Sequence, residues 1–233
     1  MELRHRTGSI YEYRDIPVNA PIAVHEAAIT WIRSHVSYKQ VICDIGCGAG
    51  AFAQRLLDNG YENVVAVDED FGEFRPAGPR RYVGDIVRLS ARIREEVIPA
   101  CVVALEVIEH TTNPIEFLKA LRETGARWIL VSFPNLHEAH NLYWFATRGE
   151  FGWWNRDSYD SIGHRTIMVD WLFEKHCEHA GLRVTERMYL DPLRVAGLRS
   201  VLFSVFTRLV SLGRVGYEER RASSVMYVCQ PAD

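Results

Sequence analysis

The run Val41-Ile42-Cys43-Asp44-Ile45-Gly46-Cys47-Gly48-Ala49-Gly50 closes an apolar segment with a glycine-rich turn. The glycines permit a tight turn and let backbone N–H groups approach a ligand, with a helix expected to begin immediately behind. Gly46, Gly48 and Ala51 also satisfy the dinucleotide-binding spacing, with alanine in the third position. The spacing alone therefore leaves the ligand open, and a close-packed turn with no ligand would use the same residues. The acids nearby narrow the choice. Asp44 precedes the first glycine, where its charge would repel a pyrophosphate and favour an ammonium or sulfonium centre. Asp68 ends the next apolar run, about 20 residues beyond the loop, the place for an acceptor of ribose hydroxyls. Asp85, in Val83-Gly84-Asp85, can accept from an adenine amino group or can cap a helix starting at Ile86. Taken together, the three acids describe an adenosyl group with a positively charged tail.

A second set lies in Leu105-Glu106-Val107-Ile108-Glu109-His110. His110 follows a fourth apolar run and is the leading candidate for a general base, the alternative being that it orders the loop or caps the helix starting near Thr112. His176, Cys177 and His179 suggest metal ligands. On a helix, however, adjacent side chains diverge and only i, i+3 pairs converge, so a solvated helix surface is expected there.

These residues need elements to hold them. Residues 1–18 are polar without a clear period. Asn19 and Pro21 then look like a helix start, and apolar residues at helical spacing run to Val36. Strands are expected at Gln40–Ile45, Asn63–Asp68, Arg81–Val83, Cys101–Val107, Trp128–Phe133, Arg183–Leu190 and Ser224–Cys229. Helices are expected at Ala51–Asn59, Ile86–Val97, Pro114–Thr124 and Asp170–Ala180. Buried strands alternating with helices predict an α/β, Rossmann-like three-layer sandwich: a mostly parallel seven-stranded sheet with its last strand antiparallel. Ligands of such sheets sit beyond the carboxyl ends of the strands. Residues 69–80, with Gly72, Pro76, Gly78 and Pro79, lack a full helical pattern. Residues 134–165 form a long loop crowded with aromatics, expected as a lid-like insertion or as a satellite apolar cluster. Residues 193–212 carry an apolar helical face for packing against the body, a twin subunit in a homodimer, or a peripheral membrane surface.

The glycine loop with Asp68, Asp85 and the Glu106 region resembles class I S-adenosylmethionine-dependent methyltransferases, over roughly residues 38–190. The nearest resemblance is to the branch containing the ubiquinone-biosynthesis O-methyltransferases and the methionine-biosynthesis W proteins. It is supported by Val131-Ser132-Phe133-Pro134-Asn135 and Gly163-His164-Arg165-Thr166. The resemblance implies a single methyltransferase domain: an N-terminal helical extension (1–37), the aromatic insertion (134–165) and an apolar helical insertion (191–222). It places cofactor contacts on Asp44, Gly46, Cys47, Gly48, Asp68, Glu69, Asp85, Ile86 and Glu106, and catalysis on His110 and His164. Glu106, Glu109, His110 and His164 also resemble the metal site of small-RNA 2′-O-methyltransferases, where a divalent cation orients ribose hydroxyls. Members of the branch without metal carry the same run, so no metal ligand is assigned, and a cation stays an option that is not favoured.

The 233 residues carry a formal charge of −3 and 48% apolar residues, a globular balance without a general attraction for phosphate backbones. A local basic patch at Arg75, Arg80 and Arg81 stays open. DNA is not an expected partner and RNA is disfavoured. An odd set of five cysteines, with no apolar leader and no apolar run of spanning length, predicts free thiols in a cytoplasmic protein. The expected reaction is methyl transfer from S-adenosylmethionine to oxygen or nitrogen of a small molecule, leaving S-adenosylhomocysteine. The rivals are a nicotinamide-dependent oxidoreductase and a non-catalytic domain that binds the same cofactor.

Overall fold

The structure is a computed structural model and describes residues 4–5, 11–192, 205–213 and 215–232. Three short strands come first: β1 (Arg4–His5), β2 (Tyr11–Tyr13) and β3 (Ile16–Val18). Then follow α1 (Ile22–His35), β4 (Ile42–Ile45), α2 (Ala51–Asp58), β5 (Val64–Asp68), β6 (Arg80–Val83), α3 (Ile86–Glu96), β7 (Cys101–Leu105), α4 (Pro114–Glu123) and β8 (Trp128–Pro134). The chain continues with α5 (Ala139–Arg148), α6 (Arg156–Ser161), α7 (Asp170–Ala180), β9 (Leu182–Pro192), a helical stretch at 205–210, α8 (Tyr217–Arg221) and β10 (Ala222–Pro231).

Seven strands form one sheet in the order β6-β5-β4-β7-β8-β10-β9. The first five are parallel, and β10 runs antiparallel to both β8 and β9. The chain order reverses at β4, which lies between β5 and β7, and that switch point opens a crevice at the carboxyl ends. Strand alternation sorts the core into two layers. Cys43, Val65, Val102, Ile129 and Tyr227 face α3, α4 and α7, whereas Ile42, Val64, Cys101, Leu130 and Met226 face α1 and α2. Both faces are covered, which is why the central strands read as unbroken apolar runs. The same period places Asp44 on the α1–α2 face, two residues after Ile42.

Several expectations change. Residues 11–18 form a hairpin rather than patternless chain, pairing Tyr13 with Ile16 and Tyr11 with Val18. Its two loop residues, Arg14 and Asp15, both have positive φ, as a type I′ turn requires. Arg and Asp there lack the usual asparagine–glycine signal, and the turn is held from outside by the Arg14–Asp58 ion pair at 2.8 Å and by Tyr13, whose hydroxyl donates to Asp58 at 2.7 Å. The N-terminal extension is thus part strand and part helix. Asn19 does not cap α1, whose first turn follows Pro21 without a side-chain cap. Residues 134–165 hold two helices, α5 and α6. Cys177 is buried, not solvated, because it lies on the inner face of α7 with Phe173; His179 is exposed and His176 half-buried. The proposed basic patch is dispersed: Arg80 pairs with Glu96, Arg81 lies over Phe71 and Phe74, and Arg75 donates to the Asp15 carbonyl.

All five cysteines are free thiols. No helix among the described residues is long and apolar enough to cross a membrane. Within the expected 193–212 helix, residues 193–204 lie outside the described residues; farther on, Val205, Leu209 and Leu212 are exposed.

Phe173 is fully buried, 5.1 Å from Phe133 and 4.4 Å from Tyr227 between ring centroids, whereas Trp171, two residues away, is 64% exposed. Phe173→Ala should cost about 3–5 kcal/mol in urea unfolding. Trp171→Ala should stay within about 0.5 kcal/mol of wild type. Similar losses for both would contradict this assignment of the inner face of α7.

Candidate functional site

The glycine loop leaves β4 at the switch point and enters α2 at Gly50. Gly46 has φ +67°, and a Cβ built there would lie 2.6 Å from Val107 Cγ2, so both backbone and space demand glycine. Gly50 has φ +90°, and a Cβ there would strike Pro76 at 2.5 Å. Pro76 belongs to the stretch after β5, which packs on the loop as an irregular segment without a helix. Above the loop, the β2–β3 hairpin lays Tyr13, Ile16 and Val18 against Ala49 and Ala51.

The loop's N–H groups are mostly engaged within the protein. Gly46 and Cys47 both donate to the Val67 carbonyl, at 2.8 and 3.3 Å, and Gly48 donates to Asp68 Oδ2 at 2.8 Å. Asp44 takes a backbone hydrogen bond from Ala53 in the first turn of α2. A pyrophosphate site needs these donors turned toward the ligand. Here carboxylates and a carbonyl answer them.

Asp44 is only 3% exposed, and its Oδ2 has no hydrogen-bond partner. Burial, reinforced by the charge of Asp68, raises its pKa from 3.8 to about 8, against the opposing bond from Ala53. An orphaned acceptor in that position fits a cationic ligand group, which would restore the ionised form. Cys47 beside it stays a thiol, because burial and the two aspartates push its pKa up.

Asp68 stands at the end of β5 with Oδ1 accepting from Asp70 N at 3.3 Å, so it braces the loop in addition to facing the crevice. Glu69 is exposed. Asp85 caps α3 by accepting from Val87 N at 2.9 Å, as its position before Ile86 allows. Ile86 itself is buried in the core and can offer only its backbone. Glu106, after β7, has a positive φ of 57°, a conformation costing a non-glycine residue roughly 1–3 kcal/mol. Ser132 holds it there, donating from Oγ to Glu106 Oε1 at 2.8 Å and accepting from Glu106 N at 3.0 Å. Neither Ser132 nor the hairpin was expected at the site. The alternation of Tyr11, Tyr13, Ile16 and Val18 was the available signal for the hairpin.

The histidine side of the site is built from a 3₁₀ turn, Ile108–His110, and the stretch after α6. Arg165 and Thr166 donate backbone N–H groups to the Glu109 carbonyl at 2.8 and 2.9 Å. That clasp brings His164 to His110, 4.9 Å between ring centroids, and a ligand atom from each of Glu109, His110 and His164 lies within 4.8 Å of the others. His110 Nδ1 faces the Gly163 carbonyl at 3.2 Å and His164 Nδ1 the Trp153 carbonyl at 2.8 Å. This network assigns the proton to Nδ1 and the lone pair to Nε2 in both rings. Burial lowers both histidine pKa values, and Arg165 adds to the effect on His110. Glu109 is fully buried with neither carboxyl oxygen hydrogen-bonded, and burial together with Glu106 pushes its pKa well up. Glu106 is not part of this three-residue cluster. A second cluster, His137, Asp170 and Glu219, is already internally paired: His137 meets Glu219 at 2.8 Å, and Arg187 meets Asp170 at 3.1 Å.

The family described as a methyltransferase domain matches residues 27–187. No curated protein matches the sequence. Among solved structures, an S-adenosylmethionine-dependent methyltransferase from Archaeoglobus fulgidus is similar with TM-score 0.60 and 16% identity, covering 88% of this chain and 94% of that one. A magnesium protoporphyrin IX methyltransferase from Synechocystis with bound S-adenosylhomocysteine gives TM-score 0.57 and 12% identity, covering 89% and 82%. A small RNA methyltransferase gives TM-score 0.58 and 20% identity, covering 90% of this chain and 25% of that one. At these identities the likeness is one of fold.

The folded protein holds a proton on Asp44 more tightly than the unfolded chain does. Its contribution to stability is therefore fully present below about pH 4 and is lost as pH rises toward about 8. Thermal unfolding without ligand should show Asp44→Asn gaining on wild type steadily across that window. Parallel curves would mean that the carboxyl is not held in a desolvated site.

Proposed function

The chain belongs to the methyltransferase-domain family, and on that premise we propose that it transfers a methyl group from S-adenosylmethionine to oxygen or nitrogen of a small-molecule acceptor. The observation that carries this reading is the buried, half-satisfied Asp44 at the end of β4. A carboxylate so placed is costly unless a cation meets it, and the methionine ammonium and sulfonium are such cations.

When bound, S-adenosylmethionine supplies an electrophilic methyl on a sulfonium, open to in-line displacement. Asp44 holds the positively charged tail. Asp68 keeps lone pairs for ribose hydroxyls after serving Gly48 and Asp70, since a carboxylate offers about four acceptor sites. Asp85 keeps its second oxygen for the adenine amino group while Oδ1 caps α3. His110 and His164 are neutral near pH 7 with their lone pairs on Nε2, so either can take the acceptor's proton. The nicotinamide reading loses support because the loop N–H groups are engaged internally. The resemblance to the ubiquinone and methionine W branch rests on the Glu106–His110 and Val131–Asn135 runs and names no acceptor.

A second reading adds a divalent cation at Glu109, His110 and His164. It is favoured by the unpaired, buried carboxyl of Glu109 beside two imidazoles whose Nδ1 atoms face carbonyls, the usual arrangement for metal-bound histidine. One carboxylate and two imidazoles suit Zn²⁺, Mn²⁺ or Fe²⁺ better than Mg²⁺. A cation there would lower the acceptor hydroxyl's pKa.

Thermal unfolding with S-adenosylmethionine, S-adenosylhomocysteine, NAD or NADP tests the main reading. A ligand at about 100 times its dissociation constant stabilises by roughly 2.7 kcal/mol, which is about 5–10 °C for a chain of this size. Only the two adenosyl-sulfur ligands should shift the transition, and Asp68→Ala should reduce that shift. A shift with the nicotinamide ligands instead would overturn the proposal. Paramagnetic resonance of added Mn²⁺ decides the second reading: wild type should bind the ion and Glu109→Gln should not. Equal binding by both, or none, would leave His110 and His164 as metal-free bases.

A further inference from the structure

His164 lines two spaces. One is its cluster with Glu109 and His110; the other is an open groove of about 340 Å³ walled by Trp154, Tyr159 and Ile167, with Arg156, Arg165 and Asp160 also in its lining. Tyr159 is 58% exposed and Ile167 45% exposed, so one rim is apolar and open to solvent. Arg156 and Arg165 are exposed, and neither forms an ion pair among the described residues.

The groove is rigidly built even though its rim is open. Trp154 Nε1 donates to the Thr166 carbonyl at 2.9 Å, and Thr166 Oγ1 donates to the Thr111 carbonyl. Asn155 and Ser158 close a reciprocal capping box at the start of α6, which sets Arg156, Tyr159 and Asp160 in place. The Arg165 and Thr166 backbone bonds to Glu109 tie the opposite wall to the 3₁₀ turn after β7. Walls fixed in advance lower the ordering cost of a ligand. Two guanidiniums against one carboxylate leave the groove with a net charge of one positive.

From this geometry we propose that the groove is the acceptor subsite and that it selects a planar ring bearing a single anionic group, carboxylate or phosphate. The inference rests on the methyltransferase reading and narrows its acceptor class. Tyr159 and Trp154 supply ring contact, Arg156 and Arg165 grip the anion, and Asp160 disfavours a second negative charge. The groove's shared wall is His164, whose ring lies 4.9 Å from that of His110.

The test uses indole-3-acetate and its neutral isostere indole-3-acetamide as probes, titrated calorimetrically into the full chain saturated with S-adenosylhomocysteine. The acetate should bind at least about fivefold more tightly, a modest preference because both guanidiniums are solvated. In Arg156→Ala/Arg165→Ala that preference should vanish, while the thermal shift caused by S-adenosylhomocysteine stays at its wild-type size. Tyr159→Ala should weaken both probes alike. Equal binding of acetate and amide to wild type, no binding of either at millimolar concentration, or a preference surviving in the double variant would each overturn the proposal. Absence of the S-adenosylhomocysteine shift in wild type would sink the methyltransferase reading itself, a result distinct from all of these.

Discussion

A carboxyl group held in the core with one oxygen unsatisfied is the constraint around which this molecule is arranged. Asp44 occupies the α1–α2 face of a central strand because strand period two places it there with Ile42. It cannot turn to solvent without turning β4 over. Its neighbours accommodate it in part: Ala53 at the start of α2 donates a backbone hydrogen bond, while Asp68 across the crevice worsens its position electrostatically. Two acids close together above a helix N-terminus give a negative lining to a glycine turn that elsewhere would suit a phosphate. The engagement of the Gly46, Cys47 and Gly48 N–H groups completes that change of sign.

The other half of the site is built from different material. Beyond β7 the chain passes through Glu106 in a left-handed conformation, held by Ser132 from β8, and then coils into the turn carrying Glu109 and His110. This turn receives the segment 163–166 through backbone hydrogen bonds, so His164 arrives beside His110 although 53 positions separate His110 from Gly163. The glycine loop and the acids thus sit on strand ends. The histidine cluster is made by the turn after β7 and by a long insertion pinned back onto the sheet.

Much of the frame was legible from residue pattern. The five helices that cover the sheet and its seven strands fell within a few residues of the expected positions, because buried parallel strands and amphipathic helices carry strong periodic signals. The absence of a helix between Asp68 and Arg80 was likewise readable from its glycines and prolines. The β2–β3 hairpin escaped because its turn uses Arg14 and Asp15, whose positive φ values are held by Asp58 and Arg75 rather than by their own preferences. Helices α5 and α6 escaped because what they bury, Ala139 and Asn141 in α5 and Ser158 in α6, is small or polar and marks no apolar core stripe. The inward face of Cys177 was hidden by polar neighbours on either side.

What the sequence alone determined was the layered α/β frame and the chemical types brought to its carboxyl edge: a glycine turn, a series of acids after successive strands, and a histidine after the fourth. Those are local properties, set by periodicity and by which residues tolerate positive φ. Tertiary structure decided which groups meet. It left Asp44 half-satisfied, assigned Asp85 a capping bond and made Asp68 a brace of the loop. It also separated Glu106 from the cluster of Glu109, His110 and His164, and set that cluster beside the groove of Trp154 and Tyr159. The reason is physical: hydrogen bonds such as those from Arg165 and Thr166 to Glu109 join residues far apart in the chain through backbone atoms, which every residue type possesses and no sequence pattern marks.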